Sequence, residues 1–85
     1  MKNTMIVLFN VDCDFAKMYA DSIKDVKFIM PTLDKVKEGI IEYLGTTESD
    51  KEYITLLSMD EFCSQINEEE INLNDWFISF IQVKF

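Results

Sequence analysis

Apolar and polar positions alternate most clearly at the two ends of the chain. Met5-Ile6-Val7-Leu8-Phe9 is an unbroken apolar run. Beyond it, Val11, Cys13 and Phe15 continue the odd apolar positions against polar Asn10, Asp12 and Asp14. A period of two over that length predicts a strand. Two continuations fit the pattern. In the favoured one the chain stays extended and bends or turns near Phe15. In the other the strand ends near Val11 and a helix capped by Asp12 or Asp14 buries Phe15, Met18, Tyr19 and Ile23. At the far end, seven of residues 76–85 are large and apolar. The run is too short for a membrane-spanning helix, which needs about 20 residues. Its aromatic and β-branched content suits a pleated surface. Trp76, Ile78 and Phe80 fall on one face, and Phe77, Ile81, Val83 and Phe85 on the other. Two apolar faces predict a strand inside a sheet, not at its rim.

The middle of the chain reads as two helices and their connections. Residues 26–30 are either a short strand or the end of a helix begun at Ser22-x-x-Asp25. Met30 precedes Pro31 and should be extended. Residues 32–44 predict a helix, with Thr32 as N-cap, Asp34 in the first turn, and a stripe of Leu33, Val36, Ile40, Ile41 and Leu44. Gly45 stands where a left-handed C-cap glycine belongs. Gly39, inside the helix, predicts close approach by another element. Residues 46–52 are small, polar and acidic, and read as a loop. Residues 53–57 read as a strand. Ser58-Met59-Asp60-Glu61 is a capping box, with Leu57 and Phe62 spaced as its hydrophobic staple. It opens a helix over 58–67 whose predicted buried stripe is Met59, Phe62, Cys63 and Ile66, making Cys63 a core thiol. Glu68-Glu69-Glu70 fits a surface turn.

These elements amount to one α+β domain over residues 1–85, a mainly antiparallel sheet of three to five strands carrying the helices 32–44 and 58–67. Neither a repeat nor a domain boundary interrupts it. Composition adds little to the fold and more to function. There is no histidine, which removes the commonest general base and metal ligand together. Two cysteines are neither a disulfide framework nor a zinc site. Together with the short apolar run at the N-terminus, they predict a cytoplasmic protein with free thiols.

Charge is the uneven feature. The formal net charge is −8 with no arginine. Residues 46–75 hold nine acids and one lysine, while residues 1–45 hold seven acids and six lysines. Direct nucleic-acid binding is unexpected, because the field has the wrong sign and the preferred base and phosphate reader is missing. Asp12-Cys13-Asp14 after a strand is the pattern by which Mg-dependent enzymes present carboxylates. D-x-D is a common string, however, and no phosphate loop accompanies it. No catalytic residue, metal or cofactor is assigned. The expected function is a small non-enzymatic protein-binding module engaging a positively charged partner through Glu68, Glu69, Glu70 and Asp75, then Glu48, Asp50 and Glu52. Its most concrete form is a phage or mobile-element inhibitor that occludes a basic nucleic-acid-binding site on an enzyme. The alternative is a self-associating module, a homodimer or scaffold piece, using the terminal strand 76–85 as its contact. The junction Asp75-Trp76, where the most acidic stretch meets the most apolar one, is the expected working surface.

Overall fold

The computed structural model describes residues 2–85. The chain runs β1 (Lys2–Asn10), α1 (Ala16–Ile23), β2 (Lys27–Ile29), α2 (Val36–Leu44), β3 (Ile54–Ser58), α3 (Met59–Asn67) and β4 (Trp76–Lys84). The four strands form one sheet in the order β2-β4-β1-β3. β1 pairs antiparallel with β3 and with β4, whereas β2 pairs parallel with β4. The α+β class therefore holds, with a mixed sheet.

The helices divide between the faces for a topological reason. Strands β2, β3 and β4 all run opposite to β1. The crossover β2–α2–β3 travels from one edge of the sheet to the other, and β3–α3–β4 travels part of the way back. Such crossovers share one hand, so reversing direction moves the helix to the other face. α1 and α2 accordingly pack over Met5, Val7, Phe9, Ile54, Ile81 and Val83. The second face holds Ile6, Leu8 and Leu57, against which Phe62 of α3, Ile71, Trp76 and Ile78 pack. β1 is buried on both faces and is the spine of the molecule.

β4 lies between β2 and β1, as its two apolar faces require. Ser79, on its α1 side, is the buried polar residue of the strand, and its hydroxyl donates to the Ala20 carbonyl at 2.7 Å. That bond fastens α1 to the sheet and satisfies a group that would be costly to bury unpaired.

The odd-position alternation does not continue past Asn10. The Asn10 side chain accepts the Asp12 N–H at 2.9 Å, and its carbonyl accepts the Cys13 N–H at 3.0 Å. An Asn that folds the backbone back in this way ends a strand. Asp12 and Asp14 therefore sit exposed in turns, not side by side on an extended segment. The helix that follows is α1, capped by neither aspartate: Phe15 occupies its N-cap position without a side-chain bond. Its buried side is Ala16, Tyr19, Ala20 and Ile23, so Phe15 and Met18 face outward. Ser22 lies within α1, and residues 27–29 form the strand.

The helix expected over 32–44 is a 3-10 turn, Leu33–Lys35, followed by α2. The Thr32 hydroxyl makes no capping bond. Gly45 is the left-handed C-cap at φ +66°, its N–H donating to Glu42 and Ile41 carbonyls. Gly39 is a point of close approach: a side chain there would meet the Met30 methyl, with Phe28 next beyond it. Residues 46–52 are more ordered than a plain loop, because Glu48–Tyr53 is a 3-10 helix.

The capping box forms as the spacing dictates. Ser58 Oγ accepts the Glu61 N–H, and Glu61 Oε1 accepts the Ser58 N–H, each at 3.1 Å. The stripe behind it is narrower than expected. Phe62 and Ile66 are half-buried, but Cys63 and Met59 are exposed. α3 rests alone on its face, over β3 and β1. A lone helix buries one row of side chains, and the row Met59–Cys63 falls outside it. Cys63 is thus a surface thiol, while Cys13 is buried.

The box gives a first prediction. The Ser58 N–H, chiefly, holds the Glu61 carboxyl below its ordinary pKa. A depressed carboxyl stabilises the fold above its unfolded pKa of about 4.3 and loses that contribution as pH falls through its folded value. Glu61→Ala, which removes the carboxylate that accepts the Ser58 N–H, should cost about 1 kcal/mol at neutral pH. The gap between wild type and variant should close as pH drops below about 4. Urea unfolding at pH 7 and pH 3.5 checks this; an equal gap at both would sink the assignment.

Candidate functional site

Strand direction decides where the acids gather. Asn10 pairs with Trp76, and Phe9 with Ile54, so the end of β1 and the beginnings of β3 and β4 share one end of the sheet. Every segment that reaches or leaves this end is acidic. Asp12 and Asp14 follow β1, Glu48, Asp50 and Glu52 precede β3, and Glu68, Glu69, Glu70 and Asp75 precede β4. Nine of the chain's sixteen carboxylates thus lie on three adjoining segments whose only lysine is Lys51.

Direct contacts tie the segments together. The Val11 N–H donates to the Asp75 carbonyl at 2.9 Å, joining the β1 and β4 connections. Asp12, Cys13, Asp14, Phe15, Asp50 and Tyr53 line one shallow depression of about 200 Å³. The Tyr53 hydroxyl is held protonated above its ordinary range, first by the charge of Glu52, with Asp12 contributing.

The expected residues are not equivalent. Asp50 is half-buried, and its carboxylate accepts from Thr46 and, at 3.0 Å, from the Tyr19 hydroxyl. Hydrogen bonding to Thr46 favours the Tyr19 phenolate, but burial and Asp50 outweigh it, so its pKa is raised. Asp50 therefore anchors the 3-10 segment to α1. Glu48 pairs with Lys51 at 3.6 Å. Glu68, Glu69, Glu70 and Asp75 are exposed, and among the described residues none belongs to an ion pair. They are the carboxylates most available to a partner. Asp12 and Asp14, whose D-x-D spacing from sequence assigns no metal, are brought by the fold to this same end. The signal that would have placed them is the antiparallel pairing of β1 with β3. Among the described residues, no cluster of three or more His, Cys, Asp or Glu is arranged to hold a metal ion.

The glutamate run turns sharply. Glu68, Glu69 and Glu70 donate their N–H groups back to the last turn of α3, and Glu69 has φ +59°. That left-handed conformation favours glycine at a helix end. Glu69→Gly should stabilise the fold by roughly 0.5–1 kcal/mol while removing one charge. Thermal melts of Glu69→Gly beside Glu69→Ala check this. If both shift the melting temperature equally, relief of the turn is not the cause.

No helix among the described residues is long and apolar enough to cross a membrane. Trp76 is half-buried against the Ile6–Leu8–Leu57 cluster, beside the exposed Asp75. Compared with family models, curated proteins and solved structures, the chain finds no match.

Proposed function

We propose that this chain is a small non-enzymatic binding protein whose acidic sheet end enters a basic groove on a partner protein, occupying a site built for nucleic-acid phosphates. The supporting observation is the convergence of nine carboxylates on one end of the sheet, with Glu68, Glu69, Glu70 and Asp75 outside any ion pair among the described residues. Carboxylates fixed at a frame's end steer a cationic surface over a Debye length and dock without a large ordering cost. The free thiols, one of them exposed, fit a reducing, cytoplasmic setting.

Immobilised protein should capture its partner at physiological salt. A nucleic-acid oligonucleotide should release that partner competitively, as should about 0.5 M salt, where the Debye length falls to roughly 4 Å. Capture indifferent to both would exclude phosphate-site occlusion.

A further inference from the structure

The depression lined by Asp12, Cys13, Asp14, Phe15, Asp50 and Tyr53 is built unlike the rest of the acidic end. Glu68, Glu69, Glu70 and Asp75 stand exposed on their segment. Here, by contrast, carboxylates surround aromatic surface. Phe15 precedes α1 and is 54% exposed, yet its ring is held 6.0 Å from that of Tyr19. The ring is thus both positioned and open. Half-buried Tyr53 reaches the same depression from the 3-10 segment before β3.

The polar groups of the depression are of two kinds. Asp50 is committed to Thr46 and Tyr19, which fixes one wall. Asp12 and Asp14 are exposed, and among the described residues neither carboxylate takes part in a hydrogen bond or ion pair. Cys13 is only 7% exposed, and among the described residues its thiol makes no hydrogen bond. A thiol sulfur is a weak acceptor, so an N–H donor entering the depression is the partner it lacks. The volume, about 200 Å³, falls below the roughly 300 Å³ at which small-molecule pockets begin, and suits one long side chain.

We infer that this depression anchors one arginine side chain of the basic partner. The inference rests on the acidic-end reading and adds the residue that the partner supplies. A guanidinium is planar and weakly hydrated. It can lay its face on Phe15 and Tyr53 while its N–H edge meets Asp12, Asp14 and the Cys13 sulfur. A lysine ammonium is a compact, strongly hydrated point charge, which gains from the carboxylates but little from the rings. The acidic end then divides its work. Segment 68–70 attracts cations at a distance and sets how fast the partner arrives. The depression draws one cation partly out of water and sets how long the partner stays.

Hexa-arginine and hexa-lysine, equal in charge, separate the two contributions. At low salt the protein should bind hexa-arginine about tenfold more tightly, with the difference in the dissociation rate. Phe15→Ala should abolish that preference and leave hexa-lysine binding nearly unchanged. Asp14→Asn, at a second exposed position, should narrow the preference independently. Glu68→Lys, Glu69→Lys and Glu70→Lys together should weaken both peptides alike and keep it. Equal affinity for the two peptides, or a preference that survives both Phe15→Ala and Asp14→Asn, overturns the pocket and leaves the acidic end standing. Failure to bind either peptide overturns both. An arginine preference in a protein whose partner capture ignores oligonucleotide supports the pocket and removes only phosphate-site occlusion.

Discussion

Phe9→Ala should destabilise the fold by about 3–5 kcal/mol, the range for deleting a buried aromatic ring. Phe9 is fully buried at the end of β1, the strand with partners on both sides and cover on both faces. Its ring packs 6.0 Å from that of Tyr19, whose hydroxyl ties α1 to Thr46 and Asp50. Removing the ring empties the space beneath α1 and loosens the frame that holds the acidic end. A domain of 85 residues has a total stability of roughly 4–13 kcal/mol, so this one change consumes a large share of it. At about 4–8 °C per kcal/mol, the melting temperature should fall by at least roughly 12 °C. Phe15→Ala is the matched control, since Phe15 is 54% exposed and its loss should cost under about 1 kcal/mol. Calorimetry of the two variants side by side tests the placement of the core. Equal losses from Phe9 and Phe15 would mean that β1 is not its spine.

Features legible in the sequence were those that local chemistry decides. The Ser58 box needs only residues three apart, and Gly45 needs only a helix ending before it, so both were placed from spacing. β4 was readable because an interior strand is apolar on both sides. Features decided by topology were not. Asn10 ends β1 through its own side chain, yet the alternation runs past it unbroken to Phe15, because Cys13 is buried for a separate reason, inside the turn. Cys63 has the right spacing for a core residue and the wrong helix, since a helix without a neighbour buries one row. Phe80 looked like core for a similar reason. A strand apolar on both faces predicts cover on both, and only the reversal of the crossovers shows that, among the described residues, one face receives a single helix.

The acidic end was half legible. Its charge excess is visible as composition, and the exposed glutamates follow from it. The convergence is not visible, because residues 12–14, 48–52 and 68–75 meet only when β1 runs antiparallel to both β3 and β4. That geometry also ranks the carboxylates. Asp50 is committed to Thr46 and Tyr19, and Glu48 to Lys51, which leaves the 68–75 segment as the strongest handle on any cationic partner.

Reversing that segment should therefore have the largest effect on binding. Glu68→Lys, Glu69→Lys and Glu70→Lys together should weaken partner affinity by about 100-fold at physiological salt. Exposed charge pairs contribute roughly 0.2–1 kcal/mol each, and reversal replaces each attraction with a repulsion. Three reversals then come to about 3 kcal/mol, or two decades in Kd. The loss should fall mainly on the association rate and shrink as salt rises, because screened charges steer less. Stability should hardly change: the three side chains are exposed and, among the described residues, make no ion pair. The like-charge triplet is also replaced by another, so its self-repulsion is conserved. Asp50→Asn should show the opposite signature, loosening the 3-10 segment Glu48–Tyr53 while leaving the association rate nearly unchanged. Surface plasmon resonance over a salt series, with melts of the same variants, separates the two. An affinity unmoved by the triple reversal, in a variant that melts like wild type, would assign partner binding to another part of the molecule.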